Sequence, residues 1–122
     1  MDNSPPDLRI GRGTTFRFET SWMTDDPDNP AVKLDGCTAV FAVADGNGTR
    51  RVECSTANGL IRIIPKPDDE SDVIETTITP ALTEGQLPSD WQGAHYELKI
   101  TFPSGDVYSI LRGAALLLKG AA

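Results

Sequence analysis

The chain carries one histidine, two cysteines and eighteen acidic residues, the side chains from which a catalytic or metal centre would be built. Nucleophilic catalysis needs a Ser or Cys beside a base. His95 is the sole imidazole, and it falls on the polar side of a stretch in which Tyr96 and Leu98 take the apolar side. A solvated surface histidine is therefore expected, not a general base. No Cys/His spacing fits a zinc site. Glycosidic hydrolysis needs two carboxylates about 5–9.5 Å apart across a cleft, but eighteen acids guarantee some such pair, so the pairing carries no signal. Asp26, Asp28 and Pro30 alternate like the first ligands of a calcium loop, yet Ala31 and Cys37 stand where the mid-loop glycine and the closing glutamate are required. Gly11-Arg12-Gly13-Thr14-Thr15 fits neither a phosphate loop nor a dinucleotide fingerprint. The expectation is no enzyme: no catalytic residue, no cofactor and no metal.

The remaining reactive types read as packing. If Asp45-Gly46-Asn47-Gly48 makes a two-residue hairpin turn, Cys54 faces Ala39 or Phe41, according to which pair forms the loop. Cys37 is then at best a diagonal neighbour about 7–8 Å away, beyond disulfide reach. Two reduced, packed thiols are expected. Trp22 and Trp91 could form a sugar-stacking platform, but Trp22 shares a face with Phe16 and Phe18, which favours the core. The acidic loops Asp25–Asp28 and Asp68–Asp72 are expected at opposite ends of the fold, as two solvated poles and not one site.

The positioning elements are strands. Tyr96, Leu98, Ile100 and Phe102 alternate with His95, Glu97, Lys99 and Thr101, the period of a half-buried strand. Pro103-Ser104-Gly105-Asp106 turns the chain, and Val107 to Leu118 runs back. Thr14 to Trp22 is a second strand with Phe16, Phe18 and Trp22 on one side. Cys37 to Ala44 and Arg50 to Cys54 form a hairpin whose register is pinned by pattern, because a one-residue slip would carry Glu53 to the core. Leu60 to Ile64 is a nearly continuous apolar run and reads as a central strand. Val73 to Thr79 offers Ile74 and Ile78 to the core, and Leu8 to Ile10 reads as a short edge strand. Thr79-Pro80-Ala81-Leu82-Thr83-Glu84 has a Thr cap and a first-turn proline, the marks of one short helical turn. About seven strands with one helical turn predict an all-β, antiparallel sandwich; a small barrel is the alternative.

At 122 residues the chain makes one domain. Residues 1–7 form a polar arm bearing Pro5 and Pro6, and residues 8–122 form the sandwich. A net charge of −7 argues against nucleic acid or an anionic membrane as partner. No apolar run approaches the ~20 residues of a membrane helix. The first residues lack the basic and apolar regions of a signal peptide, so the chain is expected to stay where it is made.

Taken in order, several of these segments resemble a known family. They are Arg12-Gly13-Thr14 leading into Phe16-Arg17-Phe18 and Trp22, then Leu34-Asp35-Gly36-Cys37-Thr38-Ala39, then the Thr79–Thr83 crossover. Tyr96-Glu97-Leu98-Lys99-Ile100, a Gly-Asp turn and Leu111-Arg112-Gly113 complete the set. The pattern, over roughly Ile10 to Lys119, resembles the immunoglobulin-like domain of tailed-phage virion proteins, as at the N-terminus of siphophage upper baseplate proteins. The resemblance implies a bacteriophage structural protein, made in the host bacterial cytoplasm and carried in the virion. Such a protein would be an adaptor docking a tail, baseplate or fibre component, multi-copy or homo-oligomeric among other virion proteins. In baseplate proteins a fibre stalk follows the domain, whereas here four residues follow Leu118. A stand-alone adaptor, plug or decoration protein is therefore expected in place of a host-binding fibre. A capsid decoration protein is the alternative, and a carbohydrate-binding module a more distant one.

The surface expected to meet the partner combines Pro5 and Pro6 with Leu116, Leu117 and Leu118, which close the last strand with apolar atoms on both faces. Leaving one leucine in water forgoes about 1.5–3 kcal/mol. Leu87 and Trp91, on the crossover, are expected to cover part of that surface and to belong with it to the partner-binding set.

Overall fold

A computed structural model describes residues 7–22 and 31–119. The Pro5 and Pro6 arm and the Asp25–Asp28 loop lie outside the described residues. Eight strands follow in order: β1 (Leu8–Gly11), β2 (Phe16–Ser21), β3 (Thr38–Ala44), β4 (Arg50–Ser55), β5 (Ile61–Ile64), β6 (Val73–Ile78), β7 (His95–Thr101) and β8 (Val107–Leu118). Between β6 and β7 lie one helical turn, α1 (Pro80–Thr83), and a 3-10 turn, Pro88–Trp91. One sheet has the order β1-β8-β7-β3-β4 and the other β2-β6-β5. The chain changes sheet between β1 and β2, between β2 and β3, between β4 and β5, and again across the crossover. Two mainly antiparallel sheets wound in this way form an immunoglobulin-like sandwich.

Alternation explains the core. In β3, Ala39, Phe41 and Val43 are buried, and in β7 Tyr96, Leu98 and Ile100 are buried beside them. From the other sheet Ile61, Ile74 and Ile78 close the layer. Phe18 of β2 meets Phe41 of β3 edge-on, with centroids 5.3 Å apart. The β7–β8 pairing sets Gly113 opposite Tyr96. A Cβ at that position would lie 2.9 Å from the Tyr96 ring, so only glycine lets the ring lie flat on β8.

The β3–β4 hairpin places Phe41 opposite Cys54, one of the two expected registers. Its loop is longer than two residues, because Asp45 N–H donates to the Thr49 carbonyl and Gly48 N–H to the Asp45 carbonyl. A register shift at Val43/Ala44 absorbs the difference and keeps Val52 and Cys54 inward. Both cysteines are free and buried. Burial, helped by the Glu53 charge, pushes the Cys54 thiol up to about 12.

Three local expectations are corrected. Leu60 to Ile64 is not central: β5 pairs only with β6 and forms an edge, with Ile63 and Ile64 half-buried. Thr79 is the N-cap of α1 and Pro80 its first residue, as expected, but the Thr79 side chain makes no cap hydrogen bond; the turn is closed by Glu84 N–H donating to the Pro80 carbonyl at 3.0 Å. Trp22 lies beyond the end of β2, half-buried against Phe102 and Tyr108.

Candidate docking surface

The last strand has two unlike faces. Leu117 is 4% exposed and packs into the core, whereas Leu116 and Leu118 are 44% and 45% exposed. The parallel pairing of β1 with β8 explains the split: Ile10 lies beside Leu117 on the inner side, and Arg9 beside Leu116 on the outer side. Trp91 is also a core residue, 2% exposed, with its indole N–H donating to Gln86 Oε1 at 2.7 Å. Leu87 stands exposed just before the 3-10 turn. Of the expected contact residues on described segments, the structure therefore turns Leu87, Leu116 and Leu118 outward and Trp91 and Leu117 inward.

Strand register builds the rest of the outer face. Ala114 pairs with His95, Arg112 with Glu97 and Ser109 with Lys99. On the next strand Ala44, Ala42 and Val40 continue the same rows. The outward residues of β3 are small, so the face is shallow. The Ser109 hydroxyl donates to Glu97 at 2.8 Å, with Lys99 and Arg112 at 3.5 and 3.6 Å. The Ser109 hydrogen bond first, then the two cations, hold the Glu97 carboxyl below its usual range. His95 stands exposed on this face and lines a shallow hollow with Glu97 and Arg112.

The opposite edge of the same sheet is closed by side chains. Asn58 Nδ2 donates to the Glu53 carbonyl at 3.2 Å, and Gln86 Nε2 donates to the Arg51 carbonyl at 2.7 Å. Edge carbonyls engaged in this way are poor templates for another strand. Gln86 also accepts from Trp91, so one amide serves both the edge and the core.

Asp72, expected in a solvated loop, is buried instead, and so is Asp45 of the β3–β4 turn. Asp72 accepts from Leu34 N–H at 2.8 Å and Lys66 N–H at 2.9 Å, and the Lys33 ammonium lies 3.3 Å away. Those backbone donors, then Lys33, hold the Asp72 carboxyl below its usual range. The Lys33 ammonium donates further to the carbonyls of Lys66, Pro67 and Glu70. Asp45 accepts from Asn47 and Thr49 N–H and pairs with Arg51 at 2.9 Å. Each joins a loop to its neighbours. Sequence gave no sign of the Asp72 role, because Lys33 and Leu34 lie almost forty residues earlier.

Trp22, Phe102 and Tyr108 cluster at the β7–β8 turn, with ring planes at 51–87° to one another. Rings so inclined present no coplanar pair of faces to a sugar. Among the described residues, no group of three or more His, Cys, Asp or Glu side chains is placed to hold a metal ion.

No protein-family model and no curated protein sequence matches the chain. Among solved structures it is similar to a chain of the ZIG-8–RIG-5 IG1–IG1 heterodimer, at 10% identity and a TM-score of 0.42, covering 95% of this chain and 84% of that one. It is also similar to murine CRIg, at 12% identity and a TM-score of 0.38, covering 97% and 95%. Likeness at this level carries no argument about what the chain binds.

Proposed function

We propose that the chain is a non-enzymatic structural protein of a tailed-phage particle, an adaptor that docks a tail, baseplate or fibre component through the outer side of β8 and β1. The observation that carries the docking role is the outward pair Leu116 and Leu118, nearly half exposed on a strand whose inner face is already packed. A partner that covered these two leucines would remove their remaining exposed apolar surface from water. The assignment to a phage particle rests on the run of turn and strand signatures from Arg12-Gly13-Thr14 to Leu111-Arg112-Gly113. Mass spectrometry and electron cryomicroscopy of purified particles from producing cells test it. The expected result is the chain in multiple copies at the tail or baseplate. Density on the head would make it a decoration protein, and absence from particles would end the virion reading.

A further inference from the structure

The outer side of β1, β7 and β8 has the opposite charge to the rest of the molecule. Its cations are Arg9, Lys99 and Arg112, all exposed, against the carboxylate of Glu97 and that of Asp7, exposed just before β1. The local balance is +1, in a chain of net −7. Glu97 is already engaged by Ser109, Lys99 and Arg112, while Arg9 makes no ion pair among the described residues. Arg9 stands directly beside Leu116.

Resting on the docking role proposed above, we infer that this face receives an acidic protein surface with an apolar centre. Apolar atoms of the partner cover Leu116 and Leu118, and its carboxylates meet Arg9 at one end and Arg112 with Lys99 at the other. Leu116 and Arg112 are four residues apart along β8, which sets the two acidic positions about 13 Å from each other at ~3.3 Å per residue. A second copy joined face to face would bring Arg9, Lys99 and Arg112 against their own like charges. A nucleic acid or anionic lipid surface would satisfy the cations but would meet a chain of net −7, and nucleic acid would leave both leucines without an apolar partner. Charge complementarity with an acidic protein meets all of these requirements.

The probes are three six-residue peptides, alternating Glu with Leu, Lys with Leu, and Glu with Ser, titrated into the isotopically labelled full chain and followed by NMR. The Glu/Leu peptide should shift the amides around Leu116, Leu118 and Arg112. It should bind at least tenfold more tightly than either other peptide and weaken as salt rises. Arg9→Glu/Arg112→Glu and Leu116→Ser/Leu118→Ser should each weaken it at least tenfold; Arg9→Gln/Arg112→Gln replaces the first if charge reversal unfolds the chain. Equal or tighter binding of the Lys/Leu peptide, or shifts confined to another face, would overturn the inference. So would self-association of the chain in sedimentation, or binding of duplex DNA or phosphatidylglycerol vesicles at this face. In particles, loss of the folded charge variant with retention of wild type supports it. Equal incorporation of both contradicts the acidic partner and leaves the adaptor role standing. Absence of wild type removes the virion reading, and the peptide titration still decides the charge preference.

Discussion

The five-stranded sheet finishes its β4 edge and its outer face at β8 in opposite ways. At β4 the chain closes its own edge: Asn58 and Gln86 occupy the carbonyls of Glu53 and Arg51, and Gln86 holds the buried Trp91 as well. The Lys33–Asp72 cluster follows the same rule, satisfying its donors and acceptors from within the chain. At β1 and β8 the inner side is as complete as any core, yet the outer side leaves Leu116 and Leu118 in solvent. A sandwich able to close one edge with two amides has the means to polarise the outer face at β8. That apolar side is the surface for which the docking role was proposed above.

That contrast is broken most forcefully at Leu117. Replacing it by Ala should cost about 2–5 kcal/mol, as for other buried leucines, whereas Leu116→Ser and Leu118→Ser should each stay within about 0.5 kcal/mol, as for surface positions. Denaturant unfolding of the three variants checks the split. Equal losses would mean that β8 has no outer face.

On the closed side, Gln86→Ala leaves the Trp91 indole N–H and the Arg51 carbonyl without their partner. An unsatisfied buried polar group costs about 1–3 kcal/mol, and the opened β4 edge should raise self-association, read by light scattering at high concentration. A variant as stable and monomeric as wild type would show that the amide closes nothing.

A smaller effect of opposite sign is expected at Thr76, whose buried hydroxyl has no hydrogen-bond partner among the described residues. Thr76→Val removes an unsatisfied group with little change of shape, and should raise stability by about 1 kcal/mol. A lower melting temperature would mean that the hydroxyl has a bound partner, such as an ordered water.

Asp72 sharpens the comparison through pH. Its folded pKa lies below the ordinary carboxylate value, so its contribution is complete above that ordinary value and is lost as pH falls through the lowered folded one. Wild type should therefore lose stability on acidification below about pH 4, and Asp72→Asn should lose less over the same window. Parallel acid profiles would remove Asp72 from the closed network.

Local pattern made much of this legible. The inward faces of β3 and β4, the β7–β8 hairpin and the inward set Phe41, Tyr96, Leu98 and Ile100 follow from period-two alternation, which adjacent residues determine among themselves. Alternation alone leaves Ala39 and Phe41 both open as the partner of Cys54, and it gives no sign of the longer loop. What pattern missed depends on distant partners. Leu60 to Ile64 is apolar enough for a central strand, but its place at an edge is set by the neighbours it lacks. Leu116 to Leu118 reads as apolar on both faces, and alternation along β8 from the Tyr96–Gly113 pair turns Leu117 inward. Only the β1 pairing, which joins Arg9 to Leu116 across more than a hundred residues, shows what stands beside the outward leucines. The outward Arg9–Leu116 pair, the nucleus of the docking surface, is invisible in either segment alone. Asp72 reads as one more acid in an acidic turn because Lys33 and Leu34, which bind it, lie almost forty residues earlier, between β2 and β3.

Hydroxyl-radical footprinting of the side chains of β8, on the free chain and on the chain in purified particles, tests the docking surface most directly. Leu116 and Leu118 should be oxidised readily in the free chain and protected several-fold in particles, with Leu117 protected in both. Equal oxidation of Leu116 and Leu118 in the two states would show that the outer side of β8 meets no partner, and would contradict the adaptor role assigned to it.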